Sequence, residues 1–362
     1  MLKNSLTQLL QIKYPIIQAP MAGGITTTEL VTSVSNYGGL GSVGAGYMSP
    51  DALRQQIKEI KVQTEHNFGV NIFVPSPFET TTEQIEKADQ YLQRIRHQLK
   101  MDEEHTTKLP TYSETLDTYH KQVEVVLEER VPVVSFTFGL PEEQIVTKLK
   151  DKGIIVMATA TTVAEAIEVE RLGIDVVIAQ GSEAGGHRGN FILPTEESLI
   201  GVMSLVPQIV DQVNLPVIAA GGIMDGRGII ASLVLGAQAA QMGTAFLMTK
   251  ESGTHPKYKQ AISQAEESDT RLTSAFSGKH ARGLRNKFMS EMEGVEHSLP
   301  SYPVQNTLTQ SIRRVAQTEQ NEQYMSLWSG QTPRLARHVS VNILMENLIS
   351  ETKSIIEGFG NT

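Results

Sequence analysis

A histidine in a glycine-rich segment is the residue in this sequence whose setting most favours chemistry. The segment QGSEAGGHRGNF spans residues 180–191, and His187 is the one of nine histidines that falls in such a loop. An imidazole can act as a base, an acid or a hydrogen-bond donor near neutral pH. Gly185 and its neighbour would let the backbone approach a flat ligand closely. We therefore predict that His187 is catalytic, and that Arg188 is either an anion-binding group or a solvated loop charge.

Two further glycine-bearing turns are suited to binding a phosphate group. They occur in AAGGIMDGRG, residues 219–228, and in AAQMGTAFL, residues 239–247. A phosphate needs backbone N–H donors without a side chain in the way, preferably at the start of a helix. Gly221, Gly222, Gly243 and Thr244 meet that requirement. The alternative is that these glycines only form tight turns.

Two polar or polarisable side chains follow short apolar runs near the N-terminus. Met21 lies in QAPMAGG and Asn71 in GVN. A thioether can lie against an aromatic ring system, and an amide can both donate to and accept from a ligand. Core packing or turn formation would explain either residue equally well.

The elements that position these residues form a regular series along the chain. Eight apolar runs are continuous rather than alternating, as expected for parallel strands that are buried on both faces. Most pairs of runs enclose one helix-length segment, which predicts a (β/α)8 TIM barrel, with a doubly wound open sheet as the rival fold. The predicted strands are 15–20, 38–44, 68–74, 131–139, 153–160, 174–180, 216–223 and 238–247.

The predicted barrel covers residues 1–250 and includes a polar, helical insertion at 75–130. Residues 251–362 are predicted to form a mostly helical lid or side subdomain packed on the barrel, with helices at 257–267, 307–328 and 340–357. Trp328 is interpreted as a packing residue of these helices. The long insertion follows a strand, so we expect it on the barrel face that carries chemistry.

Composition excludes several classes of protein. The chain has no cysteine, so it has no disulfide and no cysteine-ligated zinc or iron–sulfur cluster. A net charge of −9 argues against nucleic-acid binding. No apolar run is long enough for a bilayer, and the N-terminus has no signal-peptide pattern. We expect a cytoplasmic protein without a membrane partner, and no metal site, since phosphate-loop, HExxH and EF-hand motifs are absent.

Six segments together resemble the nitronate monooxygenases, the FMN-dependent family formerly called 2-nitropropane dioxygenases. The matches follow the family order over nearly the whole barrel, and SGKHARGLRN (277–286) and LWSGQ (327–331) resemble its C-terminal segments. One departure is Lys279-His280, where an Arg-Pro-like pair is expected. The six segments are QAPMAGGITTTEL, FGVNIFVP, VPVVSFTFGLP, QGSEAGGHRG, PVIAAGGIMDG and LGAQAAQMGTAFL.

The resemblance implies a TIM barrel that holds non-covalent FMN at its C-terminal face. It implies that His187 is the catalytic histidine, that Met21 lies against the flavin and that Ser277 approaches it. An alkyl nitronate would react with O2 through a flavin semiquinone, giving an aldehyde or ketone and nitrite, and so detoxifying the nitronate without nicotinamide. The other implied FMN contacts are Asn71, Gln180, Gly185, Gly222, Gln241, Met242, Gly243 and Thr244.

Three other functions remain open from the sequence. The first alternative is an FMN-dependent enoyl-acyl carrier protein reductase, which resembles the same barrel, has a similar GGH loop and would need NAD(P)H. A flavin-free phosphate-binding isomerase or aldolase would need a lysine or a carboxylate pair at the strand ends, where the sequence offers only Glu183. A non-catalytic flavin-binding protein is the third. The sequence does not fix the oligomeric state.

Overall fold

The computed structural model describes residues 2–101 and 108–360, so residues 102–107 of the predicted insertion lie outside the described part. Within that part, eight parallel strands form one sheet in the order β1-β9-β8-β6-β5-β4-β3-β2, and a parallel bridge between Ile17 and Leu40 closes it into a barrel. The predicted TIM barrel is confirmed. Its strands are β1 (Ile16–Gln18), β2 (Gly41–Gly44), β3 (Phe68–Phe73), β4 (Val133–Thr137), β5 (Ile155–Ala160), β6 (Val176–Gln180), β8 (Val217–Ala220) and β9 (Ala239–Met242).

Apolar side chains fill the barrel interior and its N-terminal end. Met157, Ile178 and Ile218 point into one buried cluster from neighbouring strands. Leu6 and Leu10, from the first helix and the residue that ends it, complete this cluster and are fully buried. The N-terminal segment therefore forms the floor of the barrel and leaves the opposite rim for ligands.

The helices begin where the sequence places capping residues. Thr27 accepts a hydrogen bond from the backbone N–H of Leu30, and Ser49 caps the helix that starts at Pro50. No helix of the described residues combines the length and apolar composition needed to cross a membrane. The helices are α1 (Ser5–Leu9), α2 (Thr28–Tyr37), α3 (Pro50–Gln63), α4 (Thr82–Gln98), α5 (Tyr112–Glu128), α6 (Glu143–Asp151), α7 (Val163–Arg171), α8 (Val202–Val210), α9 (Gly226–Val234), α10 (Thr244–Leu247), α11 (Pro256–Gln264), α12 (Lys287–Glu291), α13 (Val304–Leu308), α14 (Gln310–Thr318) and α15 (Val341–Gly360).

The outer ring of helices draws on both ends of the chain. Helix α15 packs against α9 and α2, where it occupies the place of the eighth barrel helix. Residues 251–340 thus lie between the last barrel strand and its helix, and the division at residue 250 stays a prediction. One helix prediction is wrong, since 307–328 is not continuous. Helices α13 and α14 are followed there by a 3-10 turn at Glu322–Tyr324.

A small antiparallel sheet that the sequence did not predict joins the barrel to residues beyond 250. Its strands are β7 (Gly186–His187), β10 (Thr270–Thr273) and β11 (Ala281–Leu284). The central strand β11 pairs with β10 on one side and with β7 on the other. Ala281 lies opposite His187, so the loop with the predicted catalytic residue is part of this sheet.

Truncation of the barrel floor should destabilise the protein. Leu6→Ala removes a fully buried side chain from the interior cluster, and we expect the free energy of unfolding to fall by about 2–5 kcal/mol. Leu9→Ala, in the same helix but 40% exposed, is the matched control and should change it by less than about 0.5 kcal/mol. Urea unfolding of the two variants measures the difference. Equal losses would contradict the role of Leu6 as a floor residue.

Candidate active site

A cavity opens at the C-terminal ends of the barrel strands. Residues just beyond β1, β4, β6, β8 and β9 line it, together with a segment near residue 330. His187 is the ionisable side chain with a pKa near neutrality among its described lining residues, and no lysine or arginine lines it there. The cavity therefore offers amides, hydroxyls, aromatic rings and backbone groups to a ligand. An anionic ligand group in it would depend mainly on neutral donors.

Two strand-end amides are held in fixed orientations. The Asn71 side chain donates from Nδ2 to Ser135 Oγ at 2.9 Å and to Thr137 Oγ1 at 3.0 Å. Gln180 accepts from the backbone N–H of Gly189 at 2.8 Å and donates to the His187 carbonyl oxygen at 3.1 Å. Gln180 thus lines the cavity and also ties the histidine loop to the end of β6.

The glycine turns after β8 and β9 meet the segment near residue 330. Gly221 and Gly222 have φ of 126° and 68°, a region that favours glycine. Thr332 donates from Oγ1 to the Gly222 carbonyl oxygen at 2.8 Å, and Thr244 Oγ1 accepts from the backbone N–H of Gly330 at 3.0 Å. A Cβ at Gly243 would meet only the Ala19 side chain, at 3.8 Å, and so would project into open space. These turns form a cradle of exposed backbone.

His187 is enclosed by aromatic rings and is held by a serine. Its ring centroid lies 5.8 Å from that of Phe138, 6.1 Å from Tyr302 and 5.5 Å from Trp328. Its Nε2 lies 2.8 Å from Ser277 Oγ. Burial, and then the positive charges of Lys279 and Arg313, lower the pKa of His187 from 6.5 to about 3. The imidazole is therefore neutral at physiological pH.

The hydrogen-bond network assigns the tautomer of this imidazole. Ser277 donates its hydroxyl proton to the Lys279 carbonyl oxygen at 2.9 Å. A hydroxyl has one proton, so Ser277 Oγ accepts from His187, and the ring proton lies on Nε2. Nδ1 then carries the free lone pair. Ser277 fixes which nitrogen of His187 can accept a proton.

Two buried charged residues fix the loop around His187. The Arg188 side chain, fully buried, donates to the carbonyl oxygens of Gly181 and Ser198 at 2.6 and 2.9 Å. Both sequence interpretations of Arg188 are therefore corrected: it is neither solvated nor bound to an anion in the cavity. Glu165 accepts from the backbone N–H groups of Phe191 and Ile192 at 2.6 and 3.0 Å.

The structure brings most of the predicted site residues to one cavity. Two of the twelve, all of them described, lie elsewhere: Met242 is fully buried in the main core, and Ser277 lies behind His187. Cofactor contact by these two stays a prediction, as do the other assigned roles. The ten lining residues are Met21, Asn71, Gln180, Gly185, His187, Gly221, Gly222, Gln241, Gly243 and Thr244.

Sequence reasoning missed several lining residues. Tyr47 and Phe138 follow β2 and β4, and their place just after predicted strands was a usable signal. Trp328 packs against Phe276, as predicted, but it also lines the cavity beside His187. Thr332 gave no signal, because its approach to Gly222 depends on chain pairing across 110 residues.

Comparison with known proteins gives one consistent family. The family model described as Nitronate monooxygenase matches residues 3–351. A probable nitronate monooxygenase of Staphylococcus haemolyticus (strain JCSC1435) is 50% identical over 98% of this chain and 98% of its own. Another, from Staphylococcus aureus (strain Newman), is 48% identical over 98% of this chain and 99% of its own.

Solved structures agree with this comparison. Nitroalkane oxidase from Streptomyces ansochromogenes is similar with a TM-score of 0.90 and 39% identity, over 98% of this chain and all of that chain. FabK from Thermotoga maritima is similar with a TM-score of 0.78 and 33% identity, over 100% of this chain and 99% of its own.

The neutral state of His187 can be measured directly. We expect the ring nitrogens to show no protonation between about pH 5 and 8, with the proton on Nε2, in 15N NMR spectra assigned with a His187→Gln variant. Because the unfolded histidine has a pKa near 6.5, its contribution to the free energy of unfolding is present above pH 6.5 and is lost as the pH falls towards 3. A titration midpoint near pH 6.5 in the folded protein would contradict the assignment.

Proposed function

The chain belongs to the nitronate monooxygenase family, and we propose that it is an FMN-dependent enzyme that oxidises alkyl nitronates with O2. The products would be an aldehyde or ketone and nitrite, and the role would be detoxification in the cytoplasm. One observation carries the proposal: a neutral His187 on the wall of a cavity that is otherwise lined by amides, hydroxyls and bare backbone. The family assignment makes the chain an oxidoreductase.

The residues present fit FMN. The bare backbone at Gly222 and Gly243, with Thr244 beside it, suits a phosphate group, because N–H donors there meet no side chain. Asn71 and Gln241 offer amide groups at the strand ends, and Met21 offers a thioether to a ring. When bound, FMN supplies the redox chemistry between the nitronate and O2.

The protein's own contribution is to orient the substrate and to exclude water. The rings of Phe138, Tyr302 and Trp328 surround His187 and shield the reacting position from solvent. A base with a pKa near 3 is a weak acceptor for a proton on carbon. This favours a pre-formed nitronate anion over the neutral nitroalkane as substrate.

Lys279 lies close enough to supply charge for this anion. Its Nζ lies 5.0 Å from the centre of the Phe138 ring and donates to the Asn190 carbonyl oxygen at 3.2 Å. Burial lowers the pKa of Lys279 from 10.5 to about 8, despite the opposing charge of Glu165. The departure at Lys279 from the expected Arg-Pro-like pair therefore keeps a cation near His187, but one that loses its charge in alkaline solution.

Nitrite release tests the proposed activity. FMN-loaded protein in air, without NAD(P)H, should release nitrite from ethyl nitronate with uptake of O2, and neutral nitroethane should react more slowly. His187→Asn should lower turnover by about 10²–10⁴-fold. The same protein with NAD(P)H and an enoyl thioester tests the alternative reductase. Flavin-loaded protein that releases no nitrite, but oxidises NAD(P)H with the thioester, would overturn the proposal.

The charge on Lys279 predicts the pH dependence of nitronate oxidation. As the pH rises through about 8, Lys279 is deprotonated, and kcat/KM should fall to a plateau about tenfold lower. Lys279→Met should remove this decrease and give the lower value at every pH. Lys279→Arg, which stays charged, should move the decrease out of the measured range. An unchanged profile in Lys279→Met would show that this amine does not act on the anion.

A further inference from the structure

A second cavity of about 800 Å³ adjoins the active cavity on the side of the insertion. Tyr47, Phe73 and Phe138 line both cavities and form the boundary between them. The outer chamber, as we call this second cavity, has walls from residues 74–78 at the start of the insertion, from the loop at 190–194 and from residues 301–307. It is therefore continuous with the place where a substrate meets His187.

The outer chamber is largely apolar. Phe78, Phe191, Ile192 and Leu193 contribute to its lining, and Ile192 keeps 45% of its surface exposed. Among its described lining residues the charged side chains are Lys279 and Glu114, and Glu114 is engaged with Lys108. An apolar surface left open next to an active cavity indicates that an apolar ligand group covers it.

Phe138 stands at the boundary in a strained backbone conformation. Its φ is +76°, which is rare for a bulky residue, and strain of this kind is concentrated at functional sites. Its ring centroid lies 4.4 Å from that of Phe73 and 5.6 Å from that of Tyr302. The ring therefore stands between His187 and the outer chamber, with the Lys279 amine beside it.

We propose that the outer chamber binds the apolar substituent on the nitronate carbon, and that Phe138 sets the width of the passage to it. This inference rests on the proposed function. The anionic nitronate group would lie between His187 and Lys279, and its chain would extend past Phe138 into the chamber. The preferred substrates are then nitronates with long alkyl substituents rather than those of nitromethane size.

Burial of a chain gives a quantitative expectation. Each methylene moved from water into the chamber should raise kcat/KM by about two- to fourfold. The increase should continue from ethyl through butyl and hexyl to octyl nitronate. Alkanoates resemble nitronates in their planar pair of oxygens, and their inhibition constants should fall with chain length by a similar factor.

Variants of the chamber wall provide the test. Ile192→Glu places a charge on the apolar wall, and should lower the octyl-to-ethyl ratio of kcat/KM by about tenfold while leaving ethyl nitronate nearly unchanged. Leu199→Glu is the matched control: it is 41% exposed and belongs to the lining of neither cavity. It should leave the ratio as in the unsubstituted protein.

The passage is tested at Phe138. Phe138→Gly removes the ring and suits the positive φ, so the fold should be kept. It should raise kcat/KM for cyclohexyl nitronate relative to ethyl nitronate, because a branched substituent needs a wider passage. Circular dichroism and flavin content establish that the variant is folded and loaded.

The outcomes separate this inference from the proposed function. Nitrite from ethyl and octyl nitronate at equal kcat/KM, with ratios that neither Ile192→Glu nor Phe138→Gly changes, would overturn the chamber assignment alone. No nitrite from any nitronate would overturn the proposed function. In that case, chain-length-dependent inhibition of enoyl thioester reduction by alkanoates, weakened in Ile192→Glu, would still support the chamber as a site for an apolar chain.

Discussion

The pairing of a two-residue strand with a strand nearly a hundred positions later is the interaction on which the active cavity depends. Strand β7 carries His187, and β11 brings Ala281 opposite it. The backbone N–H of Arg188 continues this pairing by donating to the His280 carbonyl oxygen at 2.9 Å. The same connection brings Ser277 to the imidazole and Lys279 to Phe138. The barrel alone would present the histidine loop, but it would supply neither its tautomer nor its neighbouring charge.

Charge is arranged around the cavity rather than within it. Arg188 is consumed by backbone carbonyl oxygens, while Lys279 and Arg313 lie near enough to His187 to lower its pKa. An anion bound inside would meet neutral donors first and cations at a distance. This arrangement avoids the cost of burying an unpaired cation at the cavity wall. It also makes the protonation of Lys279, rather than that of His187, the titration expected to affect anion binding near neutral pH.

The barrel could be predicted because its strands carry a local signal. Runs such as 174–180 are apolar throughout, and a residue such as Gln180 or Asn71 at the end of one is thereby placed on the rim. The rest depends on contacts distant in sequence. Neither the strand at Gly186–His187 nor the partnership of Ser277 with it leaves a periodic pattern, and Arg188 looked like a loop charge because its carbonyl partners come together only in the fold.

The chain contains one tryptophan, and it lies against the ring of His187. Its intrinsic fluorescence therefore arises from a single place, the wall of the active cavity. An isoalloxazine ring bound there would quench this emission by energy transfer, and a ligand that displaced water from the wall would shift it. The protein thus carries its own optical reporter, with which occupancy of the cavity can be followed in a cuvette before any product is formed.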